Sequence, residues 1–409
     1  VKQIHVIIAT GMWEQDGLRY RRHRLAEFLQ RQPETQEVIW ICPTPDRQFS
    51  GFTMLKNGIR EFAVQDLLPN RIFRFGRFVD LFYQPKLKLL LSKLFQLNGH
   101  FKFYLWYTCP EFPLLSDLFP WDKVVYDCSD LWSAPISGEL SPVYLIRQWL
   151  ISGAEQRIIG RSDLIFCTSD YLHEQMLKKV QIDKCSRIFT AENGVEYDLF
   201  SRELPAVKTL PENFAGTVLG YIGGIKPKLD FELIRQAAVK KRDWLFLFVG
   251  PDGTGDDPAF RRLLDEKNVL WLGSVPPADV PEYMKLVDVG IMPYKPSPYN
   301  QAVFPLKLFE FLAAGKPAVG VHLPSTQKYS EEGVYASLNT DDPDSFVRAC
   351  EQMESLKNHE DLVAKRRGSA QAKDWNEIFR KMLEQVLDYL DSEAMGSAGS
   401  VRQAGLRNF

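Results

Sequence analysis

Residues 4–9 form an apolar run that stops at Thr10-Gly11, the pattern of a strand buried on both faces of a parallel sheet. Over 19–30 the spacing changes: Leu25, Phe28 and Leu29 share one helical face, while Arg21, Arg22 and Arg24 lie off it. A second short strand is predicted at 38–42, closed by Pro43. The alternation repeats with strands at 102–106, 123–126, 164–168 and 187–190 and helices at 143–159 and 171–179. After the turn formers of 191–211 a comparable series follows. Its strands are predicted at 217–222, 245–249, 269–272, 289–292 and 318–321, and its helices at 231–239, 280–286, 305–314 and 345–355. Short apolar runs alternating with helical periods predict an α/β architecture with right-handed crossovers.

Two series of similar size predict two Rossmann-like domains with a cleft between them. They are expected at 1–197 and 198–374, followed by a helix over 375–391 that can cross back to the first domain and a flexible tail over 392–409. In that helix Ile378, Phe379, Met382, Leu383, Val386, Leu387 and Leu390 share a face. The length of 409 residues agrees, since a domain averages about 100–200 residues.

Composition narrows the class. An apolar fraction of 45% and a charged fraction of 25% are those of a globular protein, neither disordered nor fibrous. A net charge of -2 opposes a surface built for nucleic acid, so no nucleic-acid partner is expected. The six cysteines are scattered without a C-x-x-C pair and read as reduced thiols of a cytosolic protein. No apolar run reaches the ~18 residues of a membrane span, and the first residues lack a secretory apolar core.

The most specific chemistry lies in PLKLFEFLAAGKP, residues 305–317. Pro305 stands at the first turn of the predicted helix and Gly315 at its end. Lys307 adds a full positive charge to the free N–H groups of that first turn, a setting suited to a diphosphate. Glu310 lies one turn on, on the same face. A surface ion pair would account for Lys307 and Glu310 but requires neither Pro305 nor Gly315-x-Pro317. The pattern resembles P-x-K-x-x-E-x-x-A-x-G-x-P of family 4-type glycosyltransferases with the GT-B fold. That resemblance implies that Pro305, Leu306 and Lys307 hold the nucleotide diphosphate of a sugar donor and that Glu310 accepts hydrogen bonds from ribose hydroxyls. Many members carry a further acid eight positions before this glutamate; here Ala302 takes that place, with Asn300 nearby, so recognition of the donor sugar must differ.

Other segments extend the resemblance. GYIGGIKPKLD, residues 220–230, offers Gly223, Gly224, Lys226 and Lys228 as an anion nest after a strand, although glycine-rich turns are common there. FVGP, with Gly250, and residues 269–284 resemble the family's strand ends around the base. They imply that the backbone at Val275 reads the uracil edge with Tyr283 close by, helix packing being the alternative for Tyr283. NGVEYDLF, residues 193–200, matches the family's interdomain element, and Gly11 in the loop 10–13 is expected to face the donor's reactive carbon.

In VVYDCSDLW, residues 124–132, a predicted strand ends in Asp127 and Asp130, which places both carboxylates toward the cleft. Asp130 is the first candidate for the base that deprotonates an acceptor hydroxyl and Asp127 the second, with turn capping the alternative for either. The acidic run 341–344 reads as a helix cap, so neither a metal nor a cofactor beyond the UDP-sugar substrate is expected.

Residues 71–102 carry Arg74, Arg77, Lys86, Lys88 and Lys93 among aromatic and leucine side chains. Such a stretch suits an anionic membrane surface or a lipid-pyrophosphate acceptor, or else a core helix with a solvated basic face. Over most of its length, including IHVIIATGMWEQD, the chain is similar to glycosyltransferases of teichuronic acid biosynthesis in Gram-positive bacteria. That implies a UDP-sugar donor, UDP-glucuronate being a candidate, and a lipid-linked saccharide acceptor at the cytoplasmic face of the membrane. A UDP-sugar epimerase of the same fold and a non-catalytic membrane-docked assembly factor are the competing readings.

Overall fold

The computed structural model describes the chain apart from residues 16–17, 68–73, 139–141, 203–209, 211–213 and 389–409, and apart from the side chains of residues 74, 142, 143 and 183. The first sheet holds β1 (Gln3–Ile8), β2 (Thr35–Thr44), β3 (Gly51–Met54), β4 (Arg60–Gln65), β5 (Lys102–Tyr107), β6 (Lys123–Cys128), β7 (Leu164–Cys167) and β8 (Ile188–Thr190). Their spatial order is β3-β4-β2-β1-β5-β6-β7-β8, parallel throughout except for the β3–β4 edge pair. The second sheet holds β9 (Val218–Ile222), β10 (Leu245–Val249), β11 (Val269–Trp271), β12 (Val289–Pro293), β13 (Ala318–Val321) and β14 (Tyr335–Leu338). It is ordered β11-β10-β9-β12-β13-β14, all parallel.

Every residue of β1 is buried, and its alternating side chains feed two cores. Ile4, Val6 and Ile8 join one hydrophobic cluster while Ile7 joins the other, as expected of a strand covered on both faces. The second cluster also takes Leu25 and Phe28 of the helix Arg21–Gln30 together with Trp375, Phe379, Met382 and Val386. The helix over 375–388 therefore packs on the first domain, and the chain crosses back where Val195 and Lys373–Trp375 exchange backbone hydrogen bonds of 2.9 and 3.1 Å.

Strand order places the site. The order reverses between β1 and β5 in the first sheet and between β9 and β12 in the second, and open α/β sheets bind ligands outside the carboxyl ends of strands at such points.

Candidate functional site

The carboxyl ends of both sheets border one cleft of about 1340 Å³ that opens to solvent. Its second-domain wall begins at Gly223, directly after β9, with a φ of +131° that a side chain would strain. A Cβ there would lie 2.5 Å from Cε and 2.7 Å from Nζ of Lys307, so the glycine lets that lysine rest against the turn. The Lys307 ammonium also lies 4.9 Å from the centroid of Tyr221. Lys226 stands 5.6 Å from the ring of Tyr20, and Lys228 stands 4.8 and 5.8 Å from the rings of Tyr294 and Tyr299. Burial lowers the pKa of Lys228; Lys307 and Lys226 add to the shift, and Tyr294 and Asp130 oppose it. Among the described residues no carboxylate forms an ion pair with any of these three lysines.

The helix behind this wall is Lys307–Ala313, shorter than the predicted 305–314 because Pro305 and Leu306 precede it and Gly315 ends it. Gly315 (φ +76°) closes the helix as a Schellman turn, its N–H donating to Leu312 and that of Lys316 to Phe311, both at 2.9 Å. With seven residues, its first turn adds little beyond the Lys307 charge itself. Glu310 lines the cleft, and burial raises its pKa against the opposing pull of Lys307 and Arg24.

Gly224, Val275, Pro305 and Leu306 also line the cleft, whereas four residues expected there do not. Gly250 supports the Gly223 turn from behind, where a Cβ would come within 2.2 Å of the Gly223 carbonyl oxygen. Tyr283 packs on the second-domain core. Asn300 is fully buried and donates from Nδ2 to the carbonyls of Lys228 and Lys295 at 3.1 and 2.8 Å, which fixes the loop that carries Lys228. The loop of Gly11 turns into the first domain, because Trp13 buries its ring edge-on to His23 and Trp40. The Gly11 carbonyl accepts from Trp40 Nε1 at 3.0 Å, and the Trp13 N–H donates to Glu61 at 2.7 Å. Ala302 is buried too, its carbonyl accepting from Ser169 across the domain contact at 2.9 Å.

On the first-domain wall both aspartates border the cleft, in different surroundings. Strand β6 runs on through Asp127, which is buried and receives Arg21 Nε at 2.8 and 3.0 Å. The same guanidinium donates to the Glu192 carbonyl at 3.0 Å and lies over the rings of Trp375 and Phe379. Asp127 thus anchors the crossing between the domains. Asp130, two residues beyond the strand, lines the cleft and accepts a 2.9 Å hydrogen bond from Tyr299 of the opposite wall. Burial, with Asp130 adding to it, pushes the Tyr299 phenol well above its ordinary pKa and keeps it a donor.

Tyr299 and Tyr294 line the cleft without having been singled out in the sequence, and Arg19, Arg21, Arg22 and Arg24, whose basic run shares the membrane or acceptor reading of residues 71–102, line it as well. The one sequence signal for Tyr299 is the turn-forming KPSPYN after β12, which gains meaning only once β12 is known to flank the switch point.

The basic stretch is mostly used up inside the first domain. Arg77 is buried between Asp66, at 2.9 and 2.6 Å, and Glu111, at 3.1 Å. Lys86 donates to the Gln65 carbonyl at 2.6 Å, and Lys93 pairs with Glu37 at 2.9 Å. Lys88 is exposed, and the side chain of Arg74 lies outside the described residues. Arg77, Lys86 and Lys93 are thus taken up by partners within the first domain and do not form a free basic face, whereas Lys88 stays exposed. In the acidic run Asp342 caps the helix Pro343–Ser355 by accepting from the Ser345 N–H at 2.8 Å.

The family described as Glycosyl transferases group 1 matches residues 216–355. TuaH of Bacillus subtilis (strain 168), assigned as a teichuronic acid biosynthesis glycosyltransferase, is 53% identical over 384 residues, covering 93% of this chain and 96% of that protein. Sucrose-phosphate synthase from Thermosynechococcus elongatus superposes with a TM-score of 0.70 at 14% identity, over 96% of this chain and 100% of that one. Anabaena HepE in complex with UDP and glucose gives a TM-score of 0.65 at 14% identity, over 95% and 100% of the two chains. Its two sheets, its cleft and the near full-length match to TuaH agree: the chain belongs to the group 1 glycosyl transferases and has the GT-B fold.

Proposed function

We propose that this glycosyltransferase moves a sugar from a UDP-sugar to a lipid-linked acceptor in teichuronic acid assembly, with glucuronate as the sugar. The observation that carries the donor site is the meeting of Lys226, Lys228 and Lys307 around the Gly223 turn, unpaired among the described residues. Three like charges held together in a half-buried cleft are costly unless an anion completes them, and a nucleoside diphosphate brings that charge. Glu310 would accept from ribose hydroxyls and the backbone at Val275 would meet the base.

In the reaction the acceptor oxygen bonds to the anomeric carbon as the bond from that carbon to the diphosphate oxygen breaks. The acceptor's proton passes to Asp130, and the electron pair leaves on UDP, whose growing charge the lysines stabilise. Approach of the two walls keeps water from the donor. The deciding experiment is a thermal-shift series with UDP, GDP and UDP-sugars on the wild type and on Lys307→Ala. UDP and UDP-glucuronate should stabilise the wild type and lose most of their effect on the variant. An equal response of both proteins, or none in either, removes the site.

A further inference from the structure

Tyr294 directly follows β12 and borders the cleft, yet its side chain is fully buried. Its N–H donates to the Val321 carbonyl at 3.3 Å, which ties the residue to the end of β13. The ring belongs to the second-domain core and has the Lys228 ammonium 4.8 Å from its centroid. The hydroxyl departs from this order: it is buried and meets no hydrogen-bond partner among the described residues. Tyr221 and Lys228 stand near it, but neither takes up its proton in hydrogen-bond geometry. The Tyr221 hydroxyl gives its own proton to the Gly224 carbonyl at 3.0 Å, and an ammonium can only donate.

Buried hydroxyls are nearly always bonded, because an unmet one loses its water without replacement. An exception in the wall of a cleft calls for an acceptor from outside the chain. The surroundings set the sign of that acceptor. Burial opposes ionisation of the phenol, but the charges of Lys228 and Lys307 outweigh it and lower its pKa. An oxygen placed there would face an acidified O–H and two ammonium groups, which suits an anion. Contacts along the wall then fix which part of a nucleoside diphosphate arrives. They run from Glu310 and Lys307 on one helix to Tyr294, from Tyr294 to Lys228, from Lys228 to the Tyr299 ring at 5.8 Å, and from Tyr299 to Asp130 at 2.9 Å. With the ribose at Glu310 and the acceptor at Asp130, Tyr294 falls beside the phosphate nearer the sugar.

We propose that the Tyr294 hydroxyl donates a hydrogen bond to the distal phosphate of the donor, at the oxygen that leaves the sugar. The phenol keeps its proton. The electron pair of the broken bond stays on the phosphate oxygen, and the hydrogen bond strengthens as charge grows there, while Asp130 takes the acceptor's proton as before. The inference rests on the nucleotide reading of the cleft and adds to the lysines a neutral donor that touches the leaving group.

Tyr294→Phe keeps the ring and its contact with Lys228 and removes the hydroxyl alone. Calorimetric titration of the wild type and this variant with UDP, and with UMP, which lacks the distal phosphate, tests the proposal. UDP affinity should fall about 10–100-fold, the range for a bond to a charged acceptor, and UMP affinity should change by less than about twofold. Turnover of the UDP-sugar should fall as well, since the bond tightens in the transition state. Without ligand the variant should melt no lower than the wild type, because the hydroxyl has no bond in the fold to lose. Equal UDP affinity of the two proteins, or an equal loss for UDP and UMP, overturns the proposal. A lower melting temperature of the free variant does so too, since the hydroxyl would then be bonded within the fold. A wild type that binds no UDP removes the nucleotide reading and this inference with it, whereas UDP binding that the variant retains in full removes the inference alone.

Discussion

The two walls of the cleft are both rich in cations but use them differently. On the first-domain wall two arginines are held by carboxylates, Arg21 by Asp127 and Arg24 by Glu196, while Arg19 lies 5.0 Å from the Trp13 ring and Arg22 lies 4.4 Å from the Tyr20 ring. On the second-domain wall Lys226, Lys228 and Lys307 meet aromatic faces and each other. A paired buried cation maintains the fold, whereas a group of unpaired ones remains to be satisfied by a ligand. The difference separates the architecture of the crossing from the chemistry of the donor.

The sharpest way to break that comparison is to change the two aspartates of the first wall separately. Asp130→Asn should lower kcat by about 10²–10⁴-fold, the range for loss of a general base, while UDP affinity stays unchanged. Asp127→Asn should act on stability instead. It leaves Arg21 buried without its carboxylate, a loss of about 3–5 kcal/mol of the kind seen when one member of a buried pair is removed. Turnover and urea denaturation of both variants decide the matter. A stable but inactive Asp127→Asn would exchange the two roles.

On the second wall, Lys307→Ala should reduce kcat/KM by about 10²–10³-fold, as for loss of one preorganised charge at a leaving group. Gly223→Ala should approach that effect without touching the lysine, because its Cβ would fall 2.5 Å from Lys307 Cε. Steady-state kinetics and UDP binding of the pair test whether the turn and the lysine work as a unit. If Gly223→Ala binds UDP as well as the wild type, the lysine does not need its place against the turn.

These walls were unequally legible in the sequence. Lys307, Glu310, Gly223 and Lys226 sit in short segments whose spacing is set by a helix cap or a tight turn, so local rules reached them. Asp130 stood ahead of Asp127 as the candidate base, but the difference in their surroundings was out of local reach, since it depends on how far β6 runs and on Arg21, more than a hundred residues away in the chain. Gly11 was misplaced because the burial of Trp13 against His23 and Trp40 is tertiary. The basic stretch misled for the same reason: Glu37, Asp66 and Glu111, which neutralise Lys93 and Arg77, come from outside or the far side of it. Most strands were readable from their apolar runs, whereas the apolar residues of β3, β4 and β14 are interrupted by Thr53, Glu61 and Ser337.

A smaller effect is expected where the walls meet. Tyr299→Phe removes the hydrogen bond across the cleft to Asp130 and little else. Loss of a bond to a charged acceptor is worth about 1.5–3 kcal/mol, which sets an upper range near 10–100-fold in kcat. The split between kcat and KM separates the roles: a lower kcat at unchanged KM and unchanged UDP affinity marks Tyr299 as a residue that positions Asp130, and an unchanged kcat would leave it as a packing residue.

The smallest effect tests the unpaired state of the lysines directly. Burial and two neighbouring cations lower the Lys228 pKa, so as pH rises through that lowered value the side chain loses its charge in the free protein while an unfolded lysine keeps it. Two opposite slopes follow. Stability of the free protein should rise over that interval, because the penalty for a buried charge is lifted, and UDP affinity should fall, because a diphosphate prefers the charged form. Binding should also take up protons there, which calorimetry in buffers of different ionisation enthalpy reads out. Lys228→Arg keeps its charge across the interval and should flatten both slopes, changing UDP affinity only a few-fold at neutral pH. Parallel pH profiles for the two proteins would place the titrating group elsewhere on the wall and leave Lys228 as a lysine held between Tyr294 and Tyr299 for packing alone.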